Sequence, residues 1–260
     1  MDRNWVFDEP FAQDYTKARQ AVIGGFLTAV KEPMSLVSAL DVGCGVGYFS
    51  KFLSDLGFQV VAVDGRDENA AEGQRRYPEV KFLSRNVEDP DFADLGIFDL
   101  VLCVGLVYHL ENPFRVIRSL YSLTGKILIV EALCAPGTKP GLQLVDEGLG
   151  ADQSLNCVAF YPTEACLVKM LYRVGFPFVY GFRRLPGRRF FHPSLRRRKE
   201  RTILVASKNA LTAAEVRLLP DVRGSWEILW TLRERLRKRL DRLRNVLHRG
   251  TPILAKAGRS

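Results

Sequence analysis

The sequence predicts an α/β protein built on a mostly parallel sheet with helices on both faces. Three observations predict it. Strand-like apolar runs alternate with helix-period segments between residues 37 and 133. Several of those runs are apolar throughout, as expected for strands covered on both faces. A glycine-rich turn, GCGVG at residues 43–47, joins the first run to the first helical pattern after it.

Taken in order, residues 11–31 place Tyr15, Ala18, Val22, Ile23, Phe26 and Val30 at helical spacing, and Pro33 ends that helix. Strands are predicted at 37–42, 59–64, 80–84, 97–104 and 125–133, with helices at 48–56, 67–76 and 113–122 between them. Residues 135–160 are punctuated by Gly and Pro and lack periodicity. A helix follows at 163–174, with Thr163 as its cap. Strands at 176–184 and 201–207 have no helix between them and read as a hairpin, making the last of seven strands antiparallel. The divisions expected are a helical lid segment at 1–34, a ligand-binding domain at 35–208 and an extension at 209–260 dominated by one helix, 224–248.

With 47% hydrophobic and 26% charged residues among 260, the chain has material for a large core, which excludes global disorder. No run of 18 apolar residues exists, and MDRNWVFDEPF lacks the basic-then-apolar pattern of a signal peptide. The five cysteines, Cys44, Cys103, Cys134, Cys157 and Cys166, form no CxxC or metal-ligand spacing. The expectation is a cytoplasmic protein with reduced thiols and no metal centre.

The glycine turn indicates a ligand. In open parallel sheets ligands bind beyond the C-terminal strand ends, where missing side chains let them reach the backbone. A dinucleotide GxGxxG would need glycine at position 48, and Tyr48 stands there. Asp64 ends the second strand, 21 residues past Gly43, where a carboxylate can accept from ribose hydroxyls.

The ordered set LDVGCGVGYFS, VVAVDGRD, FLSRNVED and FDLVLCVGLVYHLENP resembles the class I S-adenosylmethionine-dependent methyltransferases over residues 35–208. The resemblance implies a Rossmann-like fold and S-adenosyl-L-methionine as cofactor. It places Asp41, Gly43, Cys44, Gly45 and Gly47 against the methionine part and Asp64 on the ribose. Gly65 and Arg66 would flank the adenine, and Asn86 and Val87 would meet its edge. Asn86 stands where the family usually has Asp, and its amide oxygen still accepts. Cys103, Val104 and Gly105 would lie beside the transferred methyl. GLVYHLENP together with NCVAFYPTEACLVKMLYRVGF is also similar to the branch of tRNA wobble-uridine carboxymethyltransferase-like enzymes.

A sulfonium methyl is already electrophilic, so a base is needed only where the acceptor holds its proton. His109 is the candidate base; its alternative is a helix-terminal residue bonded to a neighbouring loop. Tyr108 either shapes the acceptor pocket or packs in the core. Tyr15 and Trp5 are placed for a lid or for ordinary packing, and Glu131 either meets a polar acceptor or faces solvent. His192 and His248 lie in basic surroundings and read as surface residues.

Charge is uneven. Residues 183–201 hold nine Lys/Arg and one acid, and residues 231–249 hold eight against two; these windows exceed the chain's net +9, so the rest is acidic. A basic loop 183–201 near the cavity mouth favours an anionic acceptor, with Phe190 and Phe191 offering base stacking if that acceptor is RNA. The terminal helix repeats Leu229, Leu232, Leu236, Leu240, Leu243 and Leu247 behind Trp226 and Trp230. Over 226–249 it suits a partner helix, an anionic membrane surface or RNA. The leading expectation is a methyltransferase acting on a small or carrier-linked, glycan-type anionic acceptor, peripheral at the membrane if the helix binds lipid. The alternatives are an RNA-modifying methyltransferase and an inactive cofactor-binding scaffold that works through its C-terminal helix.

Overall fold

The computed structural model describes residues 5–187, 191, 200–221, 236, 237 and 239. It forms two compact units, residues 1–222 and 223–260. Of the second unit only 236, 237 and 239 are described, and they are helical. Most of the predicted terminal helix therefore lies outside the described residues, as do Phe190, His192, Trp226, Trp230 and His248. No described helix is long and apolar enough to cross a membrane.

The first unit contains α1 (Pro10–Val30), β1 (Ser38–Val42), α2 (Tyr48–Asp55), β2 (Gln59–Asp64), α3 (Asp67–Arg76) and β3 (Lys81–Ser84). It continues with β4 (Phe98–Val104), α4 (Pro113–Leu123), β5 (Thr124–Leu133), β6 (Leu142–Asp146), β7 (Val158–Pro162) and α5 (Glu164–Val174). It ends with β8 (Phe178–Phe182), β9 (Arg201–Ser207) and β10 (Val216–Leu218). Local chemistry sets the helix ends. Pro10 and Pro113 open α1 and α4, where the missing N–H costs nothing. Thr163 caps α5 by accepting from the Cys166 amide, and Gly175 closes it in the left-handed conformation.

The main sheet runs β10-β8-β9-β5-β4-β1-β2-β3. Pairings from β3 to β5 are parallel, and β9 is antiparallel to both β5 and β8. The predicted seven strands are present with an eighth, β10, added antiparallel to β8. Residues 216–218 are thereby tied to the edge of the sheet, and the first unit runs to Val222. Residues 1–34 are likewise part of the first unit. The segment 135–160, without period in the sequence, supplies β6 and continues into β7, a separate two-stranded sheet.

Both faces of the sheet are buried, which explains the unbroken apolar runs. Leu100, Leu102, Ile127 and Ile129 pack with Ile23, Phe26 and Leu27 of α1 and with Leu53 of α2. Val101, Cys103, Leu128 and Val130 face the other way, onto Ile117 and Leu120 of α4 and Leu167 and Leu171 of α5. The alternation of side chains along each strand divides the same run between two cores.

Candidate active site

A cavity of about 730 Å³ opens at the C-terminal ends of β1, β2, β4 and β5. One end is the glycine turn. Gly43, Gly45 and Gly47 have φ of +72°, +54° and +92°, a region that glycine adopts without strain. A Cβ on Gly45 would stand 3.1 Å from the Phe7 ring, so the N-terminal segment lies directly on the turn. That segment is clasped from outside. Arg76 donates to both Asp8 carboxylate oxygens at 2.8 Å, and the Tyr48 hydroxyl donates to Asp8 at 2.6 Å. The Arg76 hydrogen bond holds the Asp8 carboxyl below its usual range.

Asp64 closes β2 on the cavity wall. Its Oδ2 accepts from the Gly45 amide at 2.8 Å, and its Oδ1 accepts from the Arg66 amide and Asn69 Nδ2 at 3.0 Å each. A carboxylate has about four acceptor positions. Asp64 therefore keeps one for a ligand hydroxyl, fewer than the sequence suggested. Burial pushes its carboxyl up against these three hydrogen bonds. Over this end lies the loop after β6: Arg66 donates to the Gln153 and Ser154 carbonyls at 3.2 Å, and Asn69 donates to Ala151 at 3.2 Å. Leu155 comes within 2.8 Å of where a Gly65 side chain would begin.

The other end is built from distant segments. Because β9 is antiparallel, its first residue, Arg201, pairs with Leu133 at the end of β5 and so lies at the ligand edge. Arg201 donates to Glu131 Oε1 at 2.9 Å and to the Tyr108 hydroxyl at 3.0 Å, while Arg19 of α1 donates to Glu131 Oε2 at 3.2 Å. Burial pushes the fully enclosed Glu131 carboxyl up, but the two guanidinium charges outweigh it and hold the group below its usual range. His109 Nδ1 is 2.6 Å from Glu147 Oε2. Glu147 also accepts from Tyr161 at 3.1 Å and from the Ser154 amide at 2.9 Å. Burial and the Glu147 charge push the Tyr161 phenol to about 12.

Of the residues expected at the site, Gly43, Cys44, Gly45, Asp64, Gly65, Arg66, Asn86, Val87, Val104, Tyr108 and His109 line this cavity. Asn86 spends its amide oxygen on the Glu88 amide at 3.0 Å. Gly47 is not on the wall; it begins α2 beneath the Phe82 ring. Cys103 points into the α4-side core, fully buried. Asp41 is also off the wall: strand parity turns it toward α2, where it accepts from the Ser50 hydroxyl at 2.6 Å. Tyr15 lines the cavity and is buried, with its ring 6.3 Å from that of Phe191. His109 is bonded to a neighbouring loop and also lines the cavity. Arg19, Glu147 and Arg201 carry no local motif, so sequence spacing gave no signal for them.

Burial pushes Asp41 up to about 7, with the Asp64 charge adding and the Ser50 hydrogen bond opposing. A raised carboxyl pKa makes ionisation cost folding energy: nothing below the unfolded value of 3.8, increasing as pH rises, complete above about 7. Asp41→Asn is therefore expected to gain stability relative to wild type between pH 4 and pH 8 by about 2–4 kcal/mol, at ~1.4 kcal/mol per pKa unit. Equal stability differences at the two pH values would show that Asp41 is not the group carrying this cost.

The donor set suits an adenosyl ligand. Asp64 offers a hydroxyl acceptor, the bare turn allows close backbone approach, and the volume falls in the range of cofactor sites, about 300–1,000 Å³. The methyltransferase domain family matches residues 40–126. Ubiquinone biosynthesis O-methyltransferases of Xanthomonas campestris pv. campestris and Xanthomonas axonopodis pv. citri are each 32% identical, over 118 and 126 residues. Those matches cover 44% and 47% of this chain and 44% and 52% of the relatives, so the similarity spans about half their length. Among solved structures, the N-terminal domain of EvdMO1 with S-adenosylhomocysteine bound superposes with a TM-score of 0.56 at 20% identity, over 75% of this chain and 79% of that one. Magnesium protoporphyrin IX methyltransferase from Synechocystis PCC 6803 with bound S-adenosylmethionine gives 0.54 at 20%, over 80% and 86%. Residues 40–126 thus match a methyltransferase domain, and the whole of the first unit's sheet has the fold of solved S-adenosylmethionine-dependent methyltransferases.

Proposed function

We propose that the protein transfers a methyl group from S-adenosylmethionine to a hydroxyl of a small acceptor. The observation that carries this reading is His109 on the wall of the cavity that also contains the glycine turn, with Glu147 bonded to its Nδ1 from behind that wall. The names of the O-methyltransferase relatives agree with it. Asp64 would hold the ribose, Gly43 and Gly45 would admit the methionine part, and residues 151–155 would cover the adenosine. Bound S-adenosylmethionine supplies an electrophilic methyl: the oxygen–carbon bond forms as the carbon–sulfur bond breaks, and sulfur keeps the electron pair. The protein's own part is to orient the acceptor, exclude water and take its proton. Glu147 accepts from Nδ1–H of His109, which leaves Nε2 as the base. The walls contributed by Phe7, Tyr15 and Phe49 limit water at the reacting atoms.

Parallel calorimetric titrations with S-adenosylmethionine, S-adenosylhomocysteine and NADH test the reading. Saturable binding of the first two without NADH is expected. Asp64→Ala should weaken it by about 1–3 kcal/mol, the scale of a hydrogen bond to a charged group. Folded protein that binds neither adenosyl ligand would overturn the assignment.

A further inference from the structure

We infer that the β4–β5–β9 end of the cavity is a built carboxylate site, and that the acceptor carries a carboxylate beside the hydroxyl to be methylated. This rests on the methyl-transfer reading above and names its substrate class. The inference starts from how charge is arranged. Arg19 and Arg201 both line the cavity, whereas Glu131 lies behind them, fully buried and off the wall. Two cations share one anion, so the face presented to a ligand has a net charge of about +1. The side chains of Arg19 and Arg201 are only 15% and 18% exposed, so water does little to screen that charge.

Donors remain for an anion. Arg19 bonds Glu131 at 3.2 Å and Thr16 Oγ1 at 3.3 Å, while its Nε–H is buried with no partner among the described residues. Tyr108 accepts from Arg201, which leaves the phenolic hydrogen to donate. Two of these side chains meet at one point: a Cβ on Gly105 would lie 3.7 Å from Arg19 Nη1 and 3.8 Å from the Tyr108 oxygen, with Glu131 Oε2 behind them at 4.0 Å. Gly105, at φ +81°, has no side chain there, so the point is open. Guanidinium forks match a planar carboxylate, and such charge-assisted bonds are among the strongest available. A single negative charge balances the site, whereas a phosphate dianion would overshoot it. Arg201 also gives the basic stretch 183–201 a specific role, because it is the described residue of that stretch that lines the cavity, with Glu131 behind its guanidinium.

The test is calorimetric binding of acid–amide pairs to the full chain, with and without saturating S-adenosylhomocysteine. The probes are salicylate with salicylamide, 3-hydroxybenzoate with 3-hydroxybenzamide, glycerate with glyceramide, and phenyl phosphate. At least one acid should bind tenfold or more tightly than its amide. Arg19→Lys and Arg201→Lys keep a charge beside Glu131 but lose the fork, and Tyr108→Phe removes one donor. Each should cut the acid preference several-fold while circular dichroism stays unchanged. Acids that bind no better than amides across the panel would overturn the proposal, as would a preference untouched by all three substitutions. Tighter binding of phenyl phosphate than of every carboxylate would overturn the choice of anion. Loss of S-adenosylhomocysteine binding instead sinks the methyl-transfer reading, and the acid–amide comparison without it still reports on the arginine site.

Discussion

His109→Ala is expected to lower methyl transfer by about 10²- to 10⁴-fold, the usual contribution of a positioned general base. Affinity for S-adenosylhomocysteine should change little, because the ring is held by Glu147 and not by the glycine turn or Asp64. The loss should fall on kcat, since the proton moves only as the new bond forms. Glu147→Gln should give a smaller loss of the same kind: the amide oxygen still accepts from Nδ1–H but no longer offsets the charge the ring gains. Full turnover by His109→Ala would return His109 to the role of a loop anchor. A parallel fall in cofactor affinity would mean that the variant had disturbed residues 151–155, which Glu147 tethers through Ser154.

Glu131→Gln is expected to cost about 3–5 kcal/mol of stability, the range for removing one partner of a buried ion pair. The carboxylate is fully buried with a guanidinium on each oxygen, at 3.2 and 2.9 Å. Glutamine fills the same space but leaves two cations facing a neutral amide. The pH dependence has a definite sign. The Glu131 pKa is lowered from 4.5, so its contribution is present in full above that value and is lost as pH falls through the depressed folded value. The wild-type advantage in thermal unfolding should therefore be complete at neutral pH and close only below about 4.5. A difference that is small at pH 7, or that does not shrink in acid, would show that the arginines find other compensation.

The positions of the strands along the chain and the glycine turn were legible because their signals are local. VSALDV followed by GCGVGYFS states a buried strand, a bare turn and a helix start within about a dozen residues, and each rests on short-range sterics. Asp64 could be found because it ends the next strand. Asp41 was misplaced because the motif gives its position along β1 but not which face it takes. Burial toward α2 and Ser50 decides that, and the raised carboxyl pKa follows.

By itself the sequence determined the class of fold and the cofactor, and it put the glycine turn and His109 at the C-terminal ends of the strands. Only the tertiary structure decided which charged groups come together beside the cavity. Arg19, Glu131 and Arg201 are separated by 112 and 70 residues, and Glu147 lies 38 residues past His109. No periodicity links such positions. They meet because β9 reverses direction beside β5, bringing the first residue of one strand to the last of the other, and because β6 and β7 fold a segment without repeat back over the cavity. Backbone preference is set by neighbours in sequence, whereas charge pairing at a ligand site is set by neighbours in space.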